Sequence, residues 1–177
     1  MKKILLLSVL GLFISCANQN QECETPSNGF IEGTGQSVTL GSEATLDVFK
    51  AIDKAWAERD YESLKTLISN EGNYTHDDNT VSTNAEEFIA HIETGYQDSL
   101  EKEEEWGWVT NFAFSVKPTK SETGDYANEN GEWVCARFTG ANGDVYEEWY
   151  QIVDGQLVMW SSETTSFHNS ISPVSKA

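Results

Sequence analysis

Two dipeptides near the C-terminus, Asn142-Gly143 and Asp154-Gly155, constrain this chain more than any other feature. Each sits between aromatic and β-branched runs. Asn-Gly and Asp-Gly favour two-residue type I′ turns, because both central residues then take positive φ. The flanking runs, Glu132–Gly140, Val145–Val153 and Gln156–Phe167, therefore read as antiparallel strands. Trp106–Val116 joins them as a fourth, ended by Pro118.

Two-residue turns also set register. Counting from Asp154-Gly155 puts Ile152 opposite Leu157, Tyr150 opposite Met159, Trp149 opposite Trp160 and Glu148 opposite Ser161. Counting from Asn142-Gly143 puts Arg137 opposite Glu148, Cys135 opposite Tyr150 and Trp133 opposite Ile152. One face then carries Trp133, Cys135, Arg137, Tyr146, Glu148, Tyr150, Ile152, Leu157, Met159 and Ser161. The other carries Val134, Ala136, Phe138, Glu147, Trp149, Gln151, Val158 and Trp160. Both are too apolar to face water, so one meets helices and the other a partner subunit. A bulge would exchange the faces beyond it.

Upstream the period becomes helical. Val48, Phe49, Ile52, Ala55 and Trp56 form one stripe behind Ser42 or Thr45 as cap. Asp60 caps a short helix burying Tyr61, Leu64, Leu67 and Ile68, ended by Gly72. Thr83-x-x-Glu86 has the form of a capping box for a third helix with Phe88, Ile89, Ile92 and Tyr96 inward. The run "EKEEE" at 101–105 reads as its solvated end.

Residues 1–15 read as an export signal: two lysines, an apolar run from Ile4 to Ile14 too short to span a bilayer, then "LFISC". That ending resembles the lipobox of a bacterial lipoprotein. The resemblance implies cleavage before Cys16, a lipid on Cys16 and a protein anchored in the cell envelope, facing the outer membrane or cell surface rather than the cytoplasm. Residues 16–41 read as the lipidated cysteine and a polar tether, 42–168 as the single domain, and 169–177 as a disordered tail. Cys23 and Cys135 either bridge in the oxidising compartment or stay as two thiols.

The formal charge of −18, from 29 acids and 11 bases, disfavours nucleic acid. Arg59 and Arg137 are the two arginines.

The chemically richest stretch is "NYTHDDNTV", Asn73–Val81. The order ααβαββββ, Arg59-Asp60, "NYTHDD" and the "DGQL" turn at 154–157 together resemble the nuclear transport factor 2-like superfamily, in its SnoaL-like branch. The resemblance covers roughly residues 42–168. It implies an α+β cone-shaped barrel, with three helices on a curved, mainly antiparallel sheet and a hydrophobic pocket at the open end. "NYTHDD" would sit at the pocket rim. Enzymes and non-catalytic binding domains share this fold, so function stays open.

Asp77 matches the general-base position of ketosteroid isomerase-like sequences, but the first helix has no tyrosine oxyanion donor; the corresponding position lies near Ile52. Resemblance to epoxide hydrolases would use Arg137 with Glu148 and Asp77 or His76, although Arg137–Glu148 also reads as a cross-strand ion pair. Resemblance to a dehydratase would use His76 with Asp77, and His91 could face His76 across the pocket. For metals, His76, Asp77, Asp78, His91 and His168 lack a ligand spacing, so none is assigned; Asp78-Asn79 reads more simply as a turn. No cofactor is implied.

The expectation is therefore a lipid-anchored, homodimeric domain whose pocket binds a small, largely apolar molecule through Trp56, Tyr74, His76, His91, Trp108, Tyr150 and Trp160. The membrane is met through the lipid alone. The alternatives are a cofactor-independent lyase, isomerase or hydrolase with Asp77 as base, assisted by His76, Arg137 and Glu148, and an envelope interaction module.

Overall fold

The computed structural model describes residues 26–27, 29–33, 35–119 and 131–165. The export signal, Cys16, Cys23, His168 and the 169–177 tail lie outside them. Helix α1 (Glu43–Ala57) starts at Ser42, whose side chain accepts from the Thr45 backbone N–H. Glu132 fixes this end by accepting from the Ser42 hydroxyl (2.9 Å) and the Thr45 hydroxyl (2.7 Å). The α1 stripe buries Phe49, Ile52 and Ala55. Asp60 caps α2 (Tyr61–Leu67), accepting from the Ser63 N–H. Arg59 ties α2 to the third helix: it pairs with Glu93 at 2.9 Å and lies 3.5 Å from the centre of the Tyr96 ring.

The short helix stops one turn earlier than the periodicity gives. Ile68 is already extended and opens a strand, Ile68–Thr75, because its side chain is buried beside Leu157 of the sheet. The third helix, α3 (Ala85–Glu101), is capped by Asn84, not Thr83. Glu87 reaches back to the Thr83 N–H and hydroxyl, so the box is shifted one residue. Lys102 caps its end, which leaves Lys102–Glu105 outside the helix.

Among the described residues eight strands make one mixed, unclosed sheet: β1 (Gly29–Ile31), β2 (Gln36–Leu40), β3 (Ile68–Thr75), β4 (Val81–Ser82), β5 (Trp108–Pro118), β6 (Glu132–Gly140), β7 (Val145–Val153) and β8 (Gln156–Thr165). Their order is β1-β2-β5-β6-β7-β8-β3-β4, with β3 parallel to β8 and the other pairs antiparallel. The architecture is thus α+β with three helices on an open sheet. Two corrections follow. The sheet does not close into a barrel, and part of the expected 16–41 tether is strand. β2 pairs with β5 from Val38↔Pro118 to Leu40↔Val116, since Ser37–Leu40 supplies β-branched residues at an otherwise open edge.

The two tight turns differ. Asp154 (φ 50°) and Gly155 (φ 80°) both take positive φ, as a type I′ turn requires. At the other, Gly143 alone is positive (φ 85°), its N–H donates to the Gly140 carbonyl, and the Gly140 N–H donates to Asp144. That is a type I turn followed by a glycine bulge. Its extra residue shifts the pairing by one: Arg137 opposes Glu147, Cys135 opposes Trp149, and Glu148 opposes Ala136. In β8 a bulge at Val158 keeps Ile152↔Leu157 but moves Tyr150 to Trp160 and Glu148 to Ser162.

The expected faces are therefore corrected. Val134, Ala136, Phe138, Tyr150, Ile152, Leu157 and Trp160 join Phe49, Ile52, Phe88 and Ile92 in one core. Trp133, Cys135, Arg137, Glu147 and Trp149 alternate with these residues and take the outer face.

Candidate functional site

At one end of the core the helices and inner sheet face leave a cavity of about 290 Å³. α1 supplies Asp53 and Trp56, the segment after β3 supplies His76 and Asp77, and α3 supplies His91. The sheet supplies Trp108, Phe138, Tyr146, Glu148, Tyr150, Trp160 and Ser162, with Trp106 just before β5. Three indoles form an edge-to-face chain: Trp108–Trp56 at 5.9 Å and Trp56–Trp160 at 5.5 Å between ring centres. Trp106 extends it at 5.8 Å from Trp108.

Glu148 is the polar centre. Alternation along β7 puts it on the inner face with Tyr150, where it is 9% exposed. Three neutral donors serve its carboxylate: the Tyr150 hydroxyl, the Trp160 indole N–H at 3.0 Å and the Ser162 hydroxyl at 3.2 Å. Burial outweighs those donors and pushes its carboxyl up to about 7, the nearby Asp53 charge adding to the rise. Burial, with the Glu148 charge, also moves the Tyr150 phenol well above its ordinary value. Asp53 accepts from the Trp108 indole N–H at 2.7 Å and the Thr110 hydroxyl at 2.9 Å. Each of the two carboxylates thus pins one indole edge.

His76 and His91 stack with ring centres 3.6 Å apart. His76 is 3% exposed and its Nε2 meets the Ser82 hydroxyl at 2.9 Å. Burial first, and His91 second, depress its pKa to about 4, so it is neutral at pH 7. Asp77 is exposed at the mouth and accepts from Thr164 at 3.2 Å. Asp78 accepts from the Thr80 N–H and hydroxyl at 2.8 and 2.6 Å, an Asx turn that holds its carboxyl below the ordinary range. "HDDNT" is thus a closed turn whose first two residues, His76 and Asp77, reach the cavity.

Of the residues singled out from sequence, Trp56, His76, Asp77, His91, Trp108, Glu148, Tyr150 and Trp160 line the cavity. Two do not. Tyr74 is buried, its hydroxyl donating to the Ser69 and Leu157 carbonyls at 2.8 and 2.9 Å, because it faces the core between β3 and β8. Arg137 is on the outer face, 3.7 Å from Glu147, since the bulge moves it away from Glu148. The expected Arg137–Glu148 pair is therefore absent, and with it the hydrolase-like arginine cluster. Sequence reasoning missed Asp53, Trp106, Phe138, Tyr146 and Ser162. Asp53 carried a signal: it is the one acid on the α1 stripe, four residues after Phe49 and three before Trp56.

No protein-family model matches the chain, and neither does any curated protein sequence. Solved structures do. A SnoaL-like protein of unknown function from Burkholderia thailandensis E264 superposes with a TM-score of 0.52 at 9% identity, over 72% of this chain and 98% of that one. A cystatin-like fold protein from Burkholderia xenovorans LB400 gives 0.51 at 14% identity, over 70% and 91%. An NTF2-like protein of unknown function from Mesorhizobium loti gives 0.48 at 11%, over 71% and 93%. At such identities the likeness is one of fold alone, shared with the SnoaL-like protein and the cystatin-like fold protein.

Proposed function

We propose that this protein binds a small, largely apolar molecule in the cavity between its helices and the inner sheet face. The observation that carries the reading is Glu148, a buried carboxyl at the end of an indole-lined space. Well-formed apolar pockets with a few convergent polar groups are where proteins take small ligands. Core rings back the cavity wall edge to face, Phe49 against Tyr150 and Phe88 against Trp56.

A thermal-shift series against apolar ketones, epoxides, terpenoids and sugars tests it. A ligand binding only the folded state adds about 2.7 kcal/mol at a hundredfold excess over its Kd. Stabilisation by an apolar class, lost in Trp56→Ala, is the expected result. No shift with any class in the series would overturn it.

A second reading is proton transfer, and the raised carboxyl of Glu148 favours it. A group titrating near 7 can give or take a proton at neutral pH. Asp77, at the mouth, would then act as base with Glu148 inside and the His76–His91 stack alongside. Turnover abolished by Glu148→Gln with ligand binding retained would establish it.

Two further proposals concern the protein's surroundings. Export and a lipid on Cys16 are supported by the "LFISC" ending, and Cys16→Ala should free the protein from membranes. A homodimer through the outer sheet face is supported by Phe112, Phe114 and Trp149, which are 45%, 42% and 40% exposed.

A further inference from the structure

The charge of the cavity narrows what it can hold. Asp53, Asp77, Glu104, Glu105 and Glu148 line it, and among the described residues no lysine or arginine does. Neither Asp53 nor Glu148 has an ion-pair partner among the described residues; their partners there are neutral hydroxyls and indoles. A buried carboxylate without a counter-charge is costly, and a cation brought beside it recovers part of that cost.

The walls favour the same sign. Trp56, Trp106, Trp108 and Trp160 contribute ring systems whose faces carry negative quadrupole, the surface that attracts organic cations. The hydrogen bonds from Trp108 to Asp53 and from Trp160 to Glu148 fix two of these rings by their edges. The carboxylates that supply the charge therefore also set the indole frame. At the mouth, exposed Glu104 and Glu105 continue the negative field outward, on a chain of net charge −18. An anion would meet five carboxyl groups and no lysine or arginine among the described residues that line the cavity. A neutral apolar molecule would leave Glu148 without a counter-charge.

We propose that the ligand is a small organic cation, an amine or quaternary ammonium with an apolar body, its charge held between the indole walls and the Asp53–Glu148 end. The proposal rests on the reading that this cavity binds a ligand, and it specifies the polar group that ligand carries. The apolar body fills the space beside Phe138 and Tyr146, and the volume of about 290 Å³ limits it to a small molecule.

Three probes sharing a phenyl ring and a short arm separate the possibilities: 2-phenylethylamine, 2-phenylethanol and phenylacetate. Binding to the full chain is followed by isothermal titration at pH 8, above the ordinary imidazole range. The amine should bind at least tenfold more tightly than the alcohol, and phenylacetate more weakly than both. Glu148→Gln should cost the amine tenfold or more while leaving the alcohol within about twofold. Asp53→Asn, made in parallel, serves the same purpose if Glu148→Gln does not fold. Alcohol binding as tight as amine binding would overturn the cation proposal and leave the pocket standing. Amine binding unaffected by either substitution would assign it to the overall charge and overturn the proposal. Failure of all three probes to bind would overturn it together with the pocket reading.

Discussion

The two faces of the central strands carry similar side chains and differ in what covers them. On the inner face Phe138, Tyr150 and Trp160 are at most 4% exposed, locked under α1 and α3. On the outer face Phe112, Phe114 and Trp149 keep 40% or more of their surface. The aromatic contacts there run from Phe112 to Phe114 at 6.2 Å and from Phe114 to Trp149 at 6.5 Å. Strand β7 carries one acid on each side at adjacent positions. Glu147, outside, pairs with half-exposed Arg137; Glu148, inside, is moved to about 7 by burial. Composition alone does not make a site here. Coverage does, by removing water from a carboxylate and from the rings around it.

The largest expected effect separates the faces by stability. Trp160→Ala should cost about 3–5 kcal/mol in urea unfolding, from lost burial and the void it leaves. Trp149→Ala should cost under about 1 kcal/mol, because its ring is already partly in water. Equal costs would break the comparison. Under the dimer proposal, Trp149→Glu should instead shift sedimentation toward the monomer while leaving ligand-induced stabilisation intact.

The next effect is the pH profile. Glu148 binds its proton more tightly folded (about 7) than at its ordinary 4.5, so its contribution falls as pH rises through that window and is level above it. His76 is the reverse: depressed from 6.5 to about 4, it contributes stability that is lost as pH falls through that range. The two oppose one another between 4.5 and 6.5. Glu148→Gln should therefore unmask a rise in stability with pH there, and His76→Phe should unmask a fall. A Glu148→Gln profile that still declined between pH 6.5 and 7 would contradict the assignment.

Smaller effects test the turns and the outer ion pair. Gly143 and Gly155 have φ of 85° and 80°. Alanine at either should cost about 1 kcal/mol by thermal unfolding, from left-handed backbone strain. Arg137→Gln should cost less than about 1 kcal/mol, as exposed pairs do, and leave the Glu148 titration unmoved. A change in that titration would return Arg137 to the site.

Much of the frame was legible. Ser42 and Asp60 cap the helices as their side chains suggest, and β6 and β7 span the residues that the apolar runs delimit. What misled was the assumption that Asn-Gly and Asp-Gly make the same turn. Asp154-Gly155 does make the two-residue turn, whereas Asn142-Gly143 spends one more residue and moves Arg137 outward. Alternation then reverses every residue of β6 relative to β7, a change of one position that no local propensity records. The bulge at Val158 had no signal either, yet it brings Trp160 to Glu148. β1 and β2 escaped notice because short edge strands carry little periodic pattern. Asp53 lies in sequence far from the chemically rich "NYTHDD", and its one mark is its place on an apolar stripe.

The measurement that tests the account most directly uses the six tryptophans as reporters. In a two-dimensional nitrogen–proton spectrum each indole N–H gives one signal. Adding 2-phenylethylamine, or an apolar hit from the thermal-shift series, should move the signals of Trp56, Trp106, Trp108 and Trp160 and leave Trp133 and Trp149 in place. Dilution of the protein should do the opposite if the outer face is a subunit interface. Shifts confined to Trp133 and Trp149 on adding ligand would contradict the account and move the binding site to the other side of the sheet.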